Sequence, residues 1–147
     1  MIIDIGKSAQ IQNPALLPFT GLVGQWRTMG THPFVPDTLL HGRASFTWEQ
    51  GGAFLLWRSE IDHPQFPAGV AVFGSDDDAR IFWLTYFDER RISRRYEIKL
   101  SEGGFMMERL TPKFSQRMNF VIGPGRIDSR GEMSREGGGW EDDLSLV

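Results

Sequence analysis

Two arginines and a tyrosine are the residues whose spacing in this sequence most directly suggests chemistry. Arg94 and Tyr96 are two positions apart, and Arg109 lies in the next strand-like segment. Because alternate residues of a β-strand point to the same side, Arg94 and Tyr96 share one face. If that face is interior, each guanidinium needs a partner, since an unpaired charge away from water is costly. An anionic ligand is one such partner, and the Tyr96 hydroxyl would add a donor to it.

About ten strand-like segments between residues 23 and 147 would position these side chains. Turn signals separate them at the spacing typical of an all-β barrel or sandwich. Asn13-Pro14 predicts the start of a short helix or 3₁₀ turn, which Pro18 would end. We therefore predict an all-β protein, a single antiparallel up-and-down β-barrel over residues 23–147. Residues 1–22 form an N-terminal extension with a short helical turn in this prediction.

Tight turns determine which residues face one another across each predicted hairpin. A Gly51-Gly52 turn places Phe46 opposite Trp57, and a turn at residues 88–91 places Trp83 opposite Tyr96. The inner face is then apolar except for a small set of polar side chains: Thr85, Arg94, Tyr96, Arg109, Gln116, Ser129 and Asp142.

The polar members of this inner face concentrate at the end of the barrel that carries the longer loops. We predict a head-group site of Arg94, Tyr96, Arg109 and Gln116, above an apolar body lined by Trp57, Trp83, Phe87 and Met107. Two alternatives stay open for the arginines. They could pair internally with Asp142 or Asp88, or extend to the water at the mouth.

Three histidines, His32, His41 and His63, fall in the two long loops at the same end. Three imidazoles could form a zinc site with an open position, but their spacing matches no metal motif. We therefore expect solvent-exposed loop histidines and no metal site. No catalytic residue is assigned, because the sequence contains no paired inward carboxylates, nucleophile elbow, phosphate loop or dinucleotide fingerprint.

Composition limits the classes of partner. The net charge is −3, which argues against nucleic acid and anionic membranes as partners. The absence of cysteine excludes disulfides, a thiol nucleophile and thiolate metal ligands. The N-terminal residues lack the long apolar core of a signal peptide, and no segment approaches the length of a membrane span. We expect a cytoplasmic, single-domain protein of undetermined oligomeric state.

Most of the chain after residue 20 resembles a bacterial lipocalin-like family of unknown function. The matching segments follow the family order: Gly24-Gln25-Trp26, Gly51-Gly52-Ala53-Phe54-Leu55, Asp62-His63-Pro64-Gln65-Phe66-Pro67, Tyr86-Phe87-Asp88-Glu89-Arg90, Ser93-Arg94-Arg95-Tyr96-Glu97, Phe114-Ser115-Gln116-Arg117 and Trp140-Glu141. This resemblance implies a calycin-type barrel whose first strand carries Gly-x-Trp, and it implies no established activity.

The sequence departs from that family at two positions. Arg91 stands where members usually carry glycine, and Gly131 stands where they usually carry tryptophan, which we expect to enlarge the cavity. The chain is also similar to the haem-binding nitrobindin branch of the calycins, which uses a histidine late in the chain as its axial ligand. Because no histidine follows His63, we predict no haem and no other cofactor.

Three functional hypotheses follow. The first is a protein that binds a small, partly apolar, anionic ligand inside the barrel. The second is an enzyme, an isomerase or hydrolase acting on a small hydrophobic metabolite in the same cavity, with Tyr96, Asp142 or a loop histidine as its acid or base. The third is a barrel filled by its own side chains that serves as an interaction module.

Overall fold

The computed structural model describes residues 13–76 and 81–147, so residues 1–12 of the predicted N-terminal extension lie outside the described part. A 3₁₀ helix, Pro14–Leu22, precedes ten strands, and a 3₁₀ turn, Gln50–Gly52, joins the second strand to the third. The strands are β1 Gly24–Thr31, β2 Leu40–Glu49, β3 Phe54–Ile61, β4 Gly69–Ser75, β5 Phe82–Asp88, β6 Ser93–Ser101, β7 Gly104–Arg109, β8 Phe114–Gly123, β9 Arg126–Arg135 and β10 Glu141–Leu146.

All ten strands form one closed antiparallel barrel. Each strand pairs with its neighbours in the chain, and β10 pairs with β1 to complete the cylinder. The predicted fold class is therefore confirmed. No helix within residues 13–76 and 81–147 is long and apolar enough to cross a membrane.

The three hairpins that turn through Gly51-Gly52, Gly103 and Gly125 adopt the registers that their turns predict. Phe46 faces Trp57 across the Gly51-Gly52 turn, and Ile98 faces Met107 across the turn that contains Gly103. Gly51 and Gly103 have φ of 68° and 74°, a backbone conformation that glycine adopts without a Cβ clash. These turns fix which side chains enter the interior, and all of them lie at one end of the barrel, the base.

The N-terminal 3₁₀ helix closes the base. Asn13 caps it by accepting a hydrogen bond from the Ala15 backbone N–H at 3.0 Å. Leu16, Phe19 and Leu22 are fully buried. The Phe19 ring lies 5.3–5.4 Å from three rings at the lower ends of their strands: Phe73, Phe82 and Phe105. The segment predicted as a simple lead-in is therefore the apolar floor of the barrel.

Trp26 of the Gly-x-Trp segment ties this floor to the wall. Its indole Nε1 donates a hydrogen bond of 2.7 Å to the carbonyl of Leu22, the last residue of the 3₁₀ helix. The bond satisfies a helix carbonyl that has no partner within the helix.

The predicted β5–β6 register is wrong by one residue on β5. Phe87 pairs with Ser93 and Leu84 pairs with Tyr96, because the loop includes residue 92. In this loop Arg91 adopts φ of 66°, in the left-handed region that favours glycine. A one-residue shift moves every side chain of a strand to the opposite face. Phe82, Leu84 and Tyr86 consequently face the interior, while Trp83, Thr85 and Phe87 face outward.

A β-bulge in β10 overturns a second expectation. Asp142 pairs with Glu132 and Ser145 with Arg130, so Asp143 and Leu144 together face Gly131. Asp142 is thus on the outside, and the inward-facing carboxylate is that of Asp143.

Gly131 makes this bulge possible and does not enlarge the cavity as expected. A Cβ at this position would lie 2.4 Å from the Leu144 carbonyl oxygen and 3.1 Å from Met118 Cε. The space left by the missing side chain is therefore filled by the bulged backbone of β10.

Candidate functional site

The barrel contains a cavity of about 1310 Å³ that is open to solvent. Most of its wall is apolar, and its apolar lining includes Trp26, Phe46, Trp57, Met107, Met118 and Phe120. A cavity of this kind holds the apolar part of a ligand and leaves orientation to a few polar groups.

Those polar groups come from β6 and β8 at the end opposite the floor. The Arg94 Nη1 and the Tyr96 hydroxyl each donate a hydrogen bond of 2.8 Å to the same atom, Gln116 Oε1. Arg94 and Tyr96 are two residues apart on β6 and so share its inner face, as the spacing predicted. Two donors thus converge on one oxygen inside the cavity.

Gln116 also connects this pair to a carboxylate and an imidazole. Its Nε2 donates to Asp143 Oδ2 at 3.1 Å, and Asp143 Oδ1 lies 2.8 Å from His32 Nε2. His32 Nδ1 accepts the backbone N–H of Phe34 at 3.0 Å, so the ring proton lies on Nε2 and is donated to Asp143. Both imidazole nitrogens are engaged.

Arg94 is half-buried and has no carboxylate partner in the described chain. No Asp or Glu oxygen among residues 13–76 and 81–147 lies within 4.0 Å of its guanidinium. The two internal partners considered from the sequence are engaged elsewhere. Asp88 pairs with Arg90 at 2.7 Å, and Asp142 lies 3.5 Å from Arg130 on the outer surface. The charge of Arg94 therefore faces the cavity, and its nearest partners are an amide oxygen and the Phe114 ring 5.3 Å away, neither of which carries a negative charge.

Burial raises the pKa of the Tyr96 hydroxyl, so this group stays protonated and acts as a donor near neutral pH. A second tyrosine, Tyr86, also faces the cavity, but its hydroxyl already donates to Asp88 Oδ2 at 2.8 Å. Burial and this hydrogen bond raise the pKa of Tyr86 as well. For Asp88, burial raises the pKa, but the hydrogen bonds from Arg90 and Tyr86 outweigh it and lower the pKa to about 2.

Five of the eight residues predicted for the ligand site line the cavity: Arg94, Tyr96, Gln116, Trp57 and Met107. Arg109 has the predicted inward phase on β7, but it is not among the residues that line the cavity. Its Nη1 turns to the Phe114 carbonyl at 3.4 Å.

The remaining two, Trp83 and Phe87, lie outside the barrel because of the shifted β5 register. Arg95 covers the Trp83 ring at 3.8 Å, and the Phe87 side chain is exposed. Their predicted position in the cavity wall is therefore wrong. The inward β5 residue near the mouth is Tyr86, which the predicted register placed outside.

Sequence reasoning missed two residues of the polar end, Asp143 and His32. Asp143 follows two other acidic residues, and no sequence feature marks the bulge that turns it inward. His32 was expected to be solvent-exposed, which is wrong, since it is buried against Asp143, Phe34 and Phe66.

The other two histidines lie apart from this chain of hydrogen bonds. His41 is exposed at the start of β2, and His63 Nδ1 accepts a hydrogen bond from the Gln65 backbone N–H. No group of three or more His, Asp or Glu side chains within residues 13–76 and 81–147 is arranged to hold a metal ion.

Comparison with known proteins identifies the fold and no family. No protein-family model matches the chain, and no curated protein matches it. Among solved structures, the crystal structure of Rv2717c from M. tuberculosis is similar, with a TM-score of 0.67 and 14% sequence identity. The match covers 93% of this chain and 97% of that one. The chain therefore shares its barrel fold with Rv2717c along almost the whole length of both.

Proposed function

We propose that this protein binds a small, partly apolar, anionic ligand inside its barrel. The ligand's charged head group contacts Arg94 and Tyr96, and its apolar body lies against Trp57 and Met107. The sequence resembles lipocalin-like proteins, and we include in the proposal that this chain binds its ligand inside a calycin-type barrel.

The observation that carries the proposal is the charge of Arg94. A half-buried guanidinium that faces a cavity without a carboxylate within 4.0 Å, among the described residues, is electrostatically unbalanced. An anion brought to this position gains a charge-assisted hydrogen bond, which is about twice as strong as a neutral one. Neutral ligands would leave that interaction unused.

The wall below Arg94 supports an apolar ligand body. The aromatic and methionine side chains of the cavity carry few free polar groups. The Trp26 indole and the Gln116 amide are engaged in hydrogen bonds, and among the described residues of this wall Trp57 Nε1 is the buried side-chain polar atom without a partner. A ligand with an apolar body would displace water from this wall at a gain of roughly 25 cal/mol for each Å² covered.

The two alternative functions receive less support from the geometry. Asp142, one candidate acid or base, is on the outer surface, and both nitrogens of His32 are engaged in hydrogen bonds. A cavity of about 1310 Å³ is also at odds with a barrel filled by its own side chains.

Titration with anilinonaphthalene sulfonate, an apolar anion whose fluorescence rises on leaving water, tests the proposal. Ala44 lines the cavity, so Ala44→Phe should fill part of it and weaken binding. Ala53→Phe makes the same exchange at an exposed site beyond the floor and should leave binding unchanged. Equal affinity in both variants, with both folded by circular dichroism, would place the probe outside the cavity and overturn the proposal.

A further inference from the structure

Gln116 Oε1 occupies the position at which two donors from β6 meet. Arg94 Nη1 and the Tyr96 hydroxyl each lie 2.8 Å from this oxygen, a normal length for a strong hydrogen bond. Three side chains from two strands that are not adjacent in the sheet are therefore arranged around a single acceptor atom.

The chemistry of the neighbours fixes the orientation of the Gln116 amide. A guanidinium can only donate, so the amide atom that faces Arg94 must be the oxygen. Asp143 can only accept when ionised, so the atom that faces it must be the NH₂ group. The Tyr96 hydroxyl must then donate to the same oxygen. The site thus presents two donors to a position where a more negative oxygen would bind better than an amide oxygen.

We infer that the head group of the ligand is a single carboxylate, and that one of its oxygens replaces Gln116 Oε1 between Arg94 and Tyr96. Gln116 is then a placeholder that satisfies the two donors while the barrel is empty, and it swings aside when the ligand enters. This inference rests on the proposed function and adds the chemical class of the ligand, a lipophilic monocarboxylic acid.

The local charges favour a monoanion over a dianion. Arg94 contributes one positive charge beside Tyr96 with no carboxylate within 4.0 Å among the described residues, and Asp143 contributes one negative charge on the far side of Gln116. A single carboxylate neutralises the charge of Arg94. A phosphate monoester carries close to two negative charges at neutral pH and would lie near the Asp143 carboxylate with its second charge unbalanced.

The two donors also suit a planar, two-oxygen group. Arginine presents N–H groups in a fixed plane that matches a carboxylate, and a second donor such as the Tyr96 hydroxyl completes the pair of contacts. Since burial raises the pKa of Tyr96, this donor is present throughout the neutral range.

Three probes that share one alkyl chain test the head-group assignment on the unmodified protein: decanoate, decyl phosphate and decanol. We expect isothermal titration calorimetry to show the tightest binding for decanoate. Decanol should bind about tenfold to hundredfold more weakly, since it loses the charge-assisted hydrogen bond. Decyl phosphate should also be weaker than decanoate.

Two changes at position 116 then test the placeholder role in opposite directions. Gln116→Leu removes the competing oxygen, so decanoate should bind as tightly as before or more tightly. The paired change Gln116→Glu with Asp143→Asn moves the carboxylate into the donor site at constant net charge. This pair should weaken decanoate binding by about tenfold or more and leave decanol binding unchanged. Asn119→Glu adds a charge to the outer face of the same strand and is the control.

The outcomes separate this inference from the proposed function. Tighter binding of decyl phosphate than decanoate, or equal loss of decanoate affinity in Gln116→Leu and the paired variant, overturns the carboxylate site and leaves anion binding in the cavity standing. Equal affinity for decanol and decanoate, or no binding of any probe, overturns the proposed function itself and the inference with it.

Discussion

Replacing Arg94 with methionine is the sharpest single perturbation of the proposed site. Methionine keeps an unbranched, apolar side chain of similar length and removes the guanidinium. The lost contact is one hydrogen bond of 2.8 Å from Arg94 Nη1 to the position now held by Gln116 Oε1. With an ionised acceptor there, such a bond contributes about 1.5–3 kcal/mol. The dissociation constant for decanoate should therefore rise about tenfold to hundredfold.

The stability of the fold should respond differently. Gln116 Oε1 keeps the hydrogen bond from Tyr96 at 2.8 Å, so Arg94→Met leaves no buried acceptor without a partner. No carboxylate within residues 13–76 and 81–147 loses an ion-pair partner either. We expect an unchanged or slightly higher Tm in the absence of ligand.

Arg109→Met is the matched control for this experiment. It makes the same substitution on the neighbouring strand at another inward-phase position, but Arg109 does not line the cavity. Its affinity for decanoate should stay within about twofold of the wild type, which corresponds to less than about 0.5 kcal/mol.

Calorimetric titration and thermal unfolding of the two variants give the decisive comparison. The reasoning fails if Arg94→Met binds decanoate like the wild type. It also fails if Arg94→Met lowers the Tm by roughly 10 °C. That shift corresponds to the loss of about 3–5 kcal/mol of stability expected when a buried ion pair is broken. In that case Arg94 would be a structural ion-pair residue.

Three further predictions concern the scaffold. Gly131→Ala should destabilise the fold by about 1–3 kcal/mol in denaturant titrations, since its Cβ would lie 2.4 Å from a backbone oxygen, whereas Gly123→Ala, with 3.7 Å of clearance, should be near neutral. Asp88→Asn should lower the free energy of unfolding by up to about 2 kcal/mol above pH 5, because the folded pKa of Asp88, about 2, lies below the ordinary 3.8. The difference from wild type should vanish as the pH falls to about 2, and a difference that stays constant with pH would contradict this prediction. Phe19→Ala should lower the free energy of unfolding by about 3–5 kcal/mol, because it removes the buried ring at the centre of the floor. Leu17→Ala, at an exposed position of the same helix, should change the Tm little. Similar losses of stability in the two variants would contradict the role of Phe19 in the floor.

Sequence reasoning succeeded where turn chemistry and alternation act together. The glycines at 51 and 103 mark tight turns, so the registers that place Trp57 and Met107 inside follow from counting outward from each turn. The i, i+2 spacing of Arg94 and Tyr96 then puts both donors on the same face whatever the exact register.

Sequence reasoning failed where one extra residue in a loop or strand changes which side chains of a strand face the interior. The loop before β6 contains Arg91 at φ of 66°, a conformation that arginine does not signal, and this loop reversed the facing of Trp83 and Phe87. The bulge in β10 reversed the choice between Asp142 and Asp143 for a related reason. The first error arises because a strand's facing depends on the parity of the preceding loop, and residues 89–92 contain no glycine or proline to signal that parity. The second arises because a bulge within a strand reverses the facing partway along it.

The bulge at Asp143 and Leu144 makes the chemistry of the cavity separable from the closure of the barrel. The strand beyond the bulge already pairs with β1 through Leu146 and Gly30, and with β9 through Ser145 and Arg130. Deletion of residue 143 would therefore restore regular alternation without moving any pair on either side of it. The barrel would close as before and lose its inward carboxylate. In this architecture a one-residue deletion, like a substitution at residue 143, could therefore change the head-group preference without altering how the barrel closes.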